Sequence, residues 1–333
     1  MIYRELGQSG IRISAITFGA WAIGGFMWGG SDEKQAIGAI RRGYDLGVTT
    51  IDTAPIYGMG LSEELVGKAI QGNRENYQIL TKFGMRWKKA GSQKAFSSDK
   101  GFEDLWSHVY KDGTKESVIQ EAEESLRRLG TDYIDYYQMH WPVDNAPIEE
   151  TMEALIRLKE QGKIRAAGVC NFSADQLREA EKTIRIEADQ VPYSMVRREI
   201  EKDVIPYVQQ HQKGVIAYSP MQRGLLTGKY FPDTRLSEGD NRKYSRFFKP
   251  GNIRQVNEFL EKIKPIAEAH EASLAQLALS WTIHQPGVIA ALAGSRAPHQ
   301  IEDNARAADL ELTGEELQTI QHHLRQLDLD LES

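Results

Sequence analysis

Short β-branched, apolar runs alternate along the chain with longer stretches in which apolar residues recur every three or four positions. The runs are Ala15–Gly19, Thr49–Asp52, Tyr77–Lys82, Tyr133–His140, Ile164–Cys170, Ala188–Val191, Gly214–Ser219 and Val288–Ala293. Several are continuously apolar rather than alternating, as parallel strands covered on both faces are. Between them lie amphipathic helices. Ser31 or Asp32 caps the first, with Ala36, Ile37, Ile40 and Tyr44 on one face and Gly47 past its end. Another starts at Thr114, carries Val118, Ala122, Leu126 and Leu129 inward and stops at Gly130. A third opens at Pro147, with Ile148, Met152, Leu155 and Leu158 inward, and ends at Gly162.

Eight strands, each followed by a helix, predict a parallel α/β sheet. Eight is the count of a closed (β/α)8 TIM barrel, but an open doubly wound sheet has the same periodicity. A β-hairpin turning at Gly7-Gln8-Ser9-Gly10 precedes the repeat, and a helix from about Gly314 to Leu327 closes it. Two connections are long: Phe83–Gly113 after the third strand and Pro220–Asn252 after the seventh. Connections of about thirty residues are characteristic of lids and binding loops. No low-complexity linker divides the chain, so a single domain over residues 1–333 is expected.

Composition narrows the function. A net charge of −6 gives no general attraction to nucleic acid or to anionic membranes. The most apolar stretch, Ala15–Gly30, holds five glycines and is too short to span a bilayer. Met1–Leu6 carries an early acid and has no signal-peptide core. The single cysteine, Cys170, rules out an intrachain disulfide. A cytoplasmic protein acting on a small molecule is the expectation; oligomeric state is not encoded in these features.

Candidate chemistry collects at consecutive strand ends. Asp52 and Tyr57 follow the second strand, Lys82 the third and His140 the fourth. Taken singly, each has an ordinary reading as a cap, rim or loop residue. Together they suit carbonyl reduction, which needs a proton on oxygen. A free tyrosine titrates near ~10. A neighbouring Lys82 ammonium is expected to lower that value, Asp52 to hold Lys82, and His140 to orient the carbonyl. The eight histidines include no H-x-H or H-E-x-x-H spacing, so no metal site is expected. Gly58-Met59-Gly60 lacks the third glycine of a dinucleotide fingerprint and reads as a turn.

Asp52, Tyr57-Gly58, Lys82 and His140-Trp141-Pro142 resemble the catalytic tetrad of the aldo-keto reductases. The resemblance runs on through Gly162–Phe172, Tyr218-Ser219-Pro220, Gly224–Tyr230, Ala293–Arg296 and Gln300–Asn304, covering nearly the whole chain. Trp21–Gly30 resembles a bacterial branch that acts on small aldehydes and polyols. The resemblance implies the closed barrel and an NADP(H)-dependent oxidoreductase interconverting small carbonyls and alcohols, with Tyr57 as general acid. It assigns the nicotinamide carboxamide to Asn171 and Gln190 and its ring to Tyr218. The pyrophosphate path falls to Ser219, Gly224 and Leu225, and the adenosine end to Ser295, Arg296, Gln300 and Asn304. Trp21, Trp28 and Trp141 become pocket walls, while Arg223 either adds a polar contact or braces its loop.

This chain departs from the family at two places. Cys170 precedes Asn171 where a serine is usual, and a thiol is a weaker donor than a hydroxyl. Gly294 stands where many relatives place a lysine against the 2′-phosphate, which leaves that role to Arg296 and some use of NAD open. The family also contains cofactor-holding regulatory subunits, an alternative that an intact tetrad does not exclude.

Overall fold

The computed structural model describes residues 1–87, 93–94, 109–236 and 240–332. Eight parallel strands close on themselves: β1 (Ile16–Gly19), β2 (Thr50–Asp52), β3 (Gln78–Phe83), β4 (Ile134–Met139), β5 (Ile164–Cys170), β6 (Ala188–Pro192), β7 (Gly214–Tyr218) and β8 (Val288–Gly294). Closure is made by β8 against β1, where Leu292 pairs with Thr17 and Gly294 with Gly19. That pairing decides for the barrel over the open sheet.

Strand alternation sorts the barrel interior into layers. From below, the hairpin of Tyr3–Glu5 and Arg12–Ser14 closes the floor with Leu6, Ile11 and Ile13. Above it lies an apolar layer of Leu80, Tyr136, Ala166, Ala188, Ile216 and Ala290. Two residues further along β3, β4 and β6 the inward set turns polar: Lys82 pairs with Gln138, and Gln190 pairs with Cys170 at the end of β5. Tyr136 reaches across the interior to β6, its hydroxyl donating to the Ala188 carbonyl and accepting from the Ala188 N–H. Glycine is required at position 168, because a Cβ there would lie 1.9 Å from that hydroxyl.

Outside the strands, helices cover the second face. Asp32 caps the first (Glu33–Asp45) by accepting from the Gln35 N–H, and the helix buries Ala36, Ala39, Ile40 and Gly43. Ile37 and Tyr44, expected inward, are only half-buried, since the contact stripe is centred on the smaller residues. Lys115–Leu129 buries the predicted Val118, Ala122, Leu126 and Leu129. The terminal helix spans Gly314–Leu324, three residues shorter than the periodicity suggests. No described helix is long and apolar enough to cross a membrane.

Both long connections carry local structure. After β3, Met85–Arg86, Gln93–Lys94 and Tyr110–Lys111 form a small antiparallel sheet; the expectation for 88–92 and 95–108 lies outside the described residues. After β7, short 3-10 turns occupy Gln222–Thr227, Asn241–Tyr244 and Arg246–Phe248. The next helix begins at Pro250, earlier than the Asn252 limit drawn from sequence, because proline suits a first helical position.

Candidate active site

Asp52 and Lys82 stand in the polar layer at the strands' C-terminal ends, 1% and 0% exposed. Lys82 Nζ donates to Asp52 Oδ1 at 2.6 Å and to the Thr53 carbonyl at 2.8 Å. The Lys82 ammonium also faces Tyr57, whose ring centre is 5.0 Å from Nζ. Asp52 Oδ2 accepts from Gln190 Nε2 at 2.6 Å and from Gln138 Nε2 at 3.3 Å. Each charge in this pair therefore has several hydrogen-bond partners, the condition under which a buried ion pair is tolerated.

Tyr57 sits in the turn after β2. That turn is pressed against the β1 turn: a Cβ on Gly58 would lie 2.1 Å from the Gly24 carbonyl oxygen, and one on Gly24 would lie 2.7 Å from the Tyr57 carbonyl carbon. Gly58-Met59-Gly60 is thus a turn whose first glycine permits backbone-on-backbone packing. His140 continues β4 through its N–H to the Phe83 carbonyl, 2.9 Å, and its ring meets Tyr57 edge-on with centroids 5.8 Å apart. Trp21 lies 6.2 Å from the Tyr57 ring and packs edge-on against Trp28 at 5.2 Å. Trp141 joins Ala54, Ile56 and Met85 in an apolar cluster that also touches Tyr57.

The electrostatics correct one expectation. Burial pushes the Tyr57 phenol above its ordinary value; Lys82 pulls it down, but Asp52 pushes it back up and burial prevails. The expected net lowering by Lys82 is not found, because burial outweighs the ammonium's field, part of which Asp52 also offsets. Burial alone would lower Lys82, yet Asp52 and Tyr57 together raise it, so the ammonium is firmly held. Burial, aided by Lys82, drives His140 well below the usual imidazole range. The arrangement is a neutral phenol beside a neutral imidazole and a fixed cation, suited to giving a proton to an oxygen bound between them.

The other predicted residues fall on the contiguous ends of β5 to β8. Tyr218 donates from its hydroxyl to Asn171 Oδ1 at 2.9 Å, and Asn171 Nδ2 donates to the His140 carbonyl at 3.0 Å. Gln190 is turned towards Asp52 rather than towards Asn171. Ser219, Gln222, Arg223 and Gly224 all have positive φ, folding the backbone into a tight reversal ahead of buried Leu225. At the end of β8, Asn304 Nδ2 donates to Ser295 Oγ at 3.1 Å, and Gln300 Oε1 accepts from the Arg296 N–H at 2.7 Å. Arg296 is exposed and donates to the Trp28 carbonyl at 2.7 Å. Sequence reasoning missed Gln138, a third donor to Asp52; its signal was a lone amide in an apolar strand two residues before His140.

Residues 15–325 match the family model described as the Aldo/keto reductase family. The chain is 35% identical over 314 residues to the NADH-specific methylglyoxal reductase of Escherichia coli (strain K12), covering 92% of this chain and 94% of that one. It resembles the structure of the glycerol dehydrogenase AKR11B4 from Gluconobacter oxydans at a TM-score of 0.86 and 34% identity, covering 99% and 96% of the two chains. An aldo-keto reductase from Klebsiella pneumoniae in complex with NADPH matches at a TM-score of 0.72 and 30% identity, covering 97% and 95%.

The depressed His140 value has a measurable consequence. An unfolded histidine titrates near ~6.5. With the folded value lower, His140 contributes stability that is complete above about pH 6.5 and is lost as pH falls towards the folded value. Imidazole NMR should show His140 still neutral at about pH 6, and a midpoint near the ordinary ~6.5 would refute the assignment.

Proposed function

The chain belongs to the aldo/keto reductase family, and from that premise we propose that it reduces small aldehydes and ketones to alcohols, and runs the reverse reaction, with NADP(H). The observation carrying this reading is Lys82 Nζ, fixed by Asp52 at 2.6 Å and set 5.0 Å from the Tyr57 ring with His140 alongside. The nicotinamide cofactor, when bound, supplies or accepts the hydride.

Tyr57 gives its proton to the carbonyl oxygen. His140, neutral in this setting, donates a hydrogen bond to the same oxygen and fixes its direction. Lys82 stabilises the negative charge left on Tyr57 once the proton has gone, which matters most because burial disfavours that charge. Trp21, Trp28 and Trp141 wall the pocket, favouring small, partly apolar substrates.

Asn171 and Gln190 would hold the carboxamide and Tyr218, bonded to Asn171, would offer its face to the ring. The left-handed turn at Ser219–Gly224, followed by Leu225, suits a closely approaching pyrophosphate: it brings bare backbone to the surface. Ser295, Gln300 and Asn304 hold the adenosine end. Arg296, exposed and close to the N-terminus of the helix Pro298–Ala305, reads the 2′-phosphate. Relatives differ in cofactor, one being NADH-specific and another holding NADPH, so Arg296 is the residue on which the preference turns. One domain carries every part of this machinery.

Two substitutions test the reading. Tyr57→Phe should bind cofactor normally but lose aldehyde reduction by about 10²-fold or more, the scale of a lost general acid; near-normal turnover would end the proposal. Arg296→Ala should raise the Michaelis constant for NADPH at least about tenfold, roughly 1.4 kcal/mol, and leave that for NADH nearly unchanged. An equal loss for both cofactors would show that Arg296 does not read the phosphate.

A further inference from the structure

Trp28 is held from two sides. Its ring packs edge-on against Trp21, which lies 6.2 Å from Tyr57. Its backbone carbonyl accepts from Arg296 Nη1 at 2.7 Å, across 268 positions of chain. The Arg296 N–H donates to Gln300 Oε1 at 2.7 Å, which fixes the base of that side chain beside the start of the helix Pro298–Ala305. The arginine proposed to read the cofactor's 2′-phosphate therefore also grips a wall of the proposed substrate pocket.

The segment that carries Trp28 depends on such ties. The Gly25 carbonyl accepts from the Trp28 and Gly30 N–H groups, both at 3.1 Å, and closes a small turn with Met27 at φ 66°. Phe26, Met27 and Trp28 are only half-buried. Outside that turn, Arg296 holds the Trp28 carbonyl and Asn241 Nδ2 donates to the Met27 carbonyl at 3.2 Å. An exposed arginine gives up rotamer freedom to make a hydrogen bond to a neutral carbonyl, so that bond by itself holds the turn weakly. A phosphate changes the balance. A guanidinium carries five N–H donors, so Nη1 can stay on Trp28 while the Nε and Nη2 pair faces a phosphate. Once the phosphate has ordered the side chain, the bond to Trp28 costs no further ordering.

We infer that Arg296 is also a positioning residue for the substrate: the cofactor's 2′-phosphate, by ordering the Arg296 guanidinium, fixes the Trp28 carbonyl and with it the wall against which the carbonyl compound packs. This rests on the roles proposed above for Arg296 and the tryptophans, and adds a coupling between them. The coupling is a free energy shared by two sites, so the phosphate tightens substrate binding by the same factor as the substrate tightens the phosphate-bearing cofactor.

Two measurements test it. The first needs no turnover. In protein labelled with 5-fluorotryptophan, the Trp28 fluorine resonance is identified by its loss in Trp28→Phe. Adenosine 2′,5′-bisphosphate should shift and sharpen it, whereas adenosine 5′-monophosphate should leave it in place; in Arg296→Ala neither nucleotide should move it. The second is the Michaelis constant for propanal, which at saturating cofactor should be about fivefold or more lower with NADPH than with NADH. Arg296→Ala should erase that difference. Arg296→Lys should keep part of the affinity for NADPH and lose the difference too, since an ammonium lacks the fork that spans phosphate and carbonyl. Equal Michaelis constants in the wild type, or a Trp28 resonance that answers both nucleotides alike, would overturn the inference. The same titration gives the affinities of the two nucleotides, so a bisphosphate that binds more tightly through Arg296 without moving Trp28 would overturn the coupling and leave the phosphate reading standing. Failure to reduce propanal and other small carbonyls would end the reductase reading, and the nucleotide titration would still decide whether the phosphate reaches Trp28.

Discussion

A lysine ammonium and an aspartate carboxylate, both sealed from water, can share a barrel mouth only if their surroundings supply hydrogen bonds to both. Asp52 and Lys82 meet that demand with Thr53, Gln138 and Gln190, drawn from the turn after β2, from β4 and from β6. The pair therefore ties distant strand ends into one geometry. Losing either partner would leave a buried charge exposed to about 3–5 kcal/mol of penalty. The apolar layer beneath, floored by Leu6, Ile11 and Ile13, keeps water from reaching the pair from below.

The same burial sets the character of Tyr57. An ammonium nearby suggests a readily ionised phenol, but the ammonium is already matched by Asp52 and the ring lies among protein atoms. Tyr57 remains a phenol, which is the form that donates a proton. In the proposed reaction Lys82 would contribute after the proton leaves, when negative charge develops next to a cation that needs no reorganisation. His140, held neutral by burial and by Lys82, is available as a hydrogen-bonding imidazole and adds no second charge.

Much of this was legible in the residue pattern. Strands covered on both faces are apolar throughout, so β5 was located to the residue and the other seven to within two. Charged residues ending such strands stood out, and Asp52, Tyr57, Lys82 and His140 do gather. Barrel closure was not legible from periodicity, because the pairing of β8 with β1 joins opposite ends of the chain and leaves no local period. The Tyr57 shift was misjudged because nearby charge is visible in sequence and desolvation is not. Gln138 and Gly168 were overlooked for a related reason: their roles come from what lies across the interior, Asp52 for one and Tyr136 for the other.

Burial holds Tyr57 as a phenol while the Asp52-paired Lys82 opposes, without overcoming, that burial. Labelling tyrosine at its ring Cζ and following Tyr57 by carbon NMR through an alkaline titration measures this directly. Tyr57 should show no ionisation up to about pH 10, the ordinary tyrosine value. Lys82→Met should displace it further upward, because the charge that favours ionisation is gone. A Tyr57 midpoint at or below about pH 9 in the wild type would contradict a phenol held by burial.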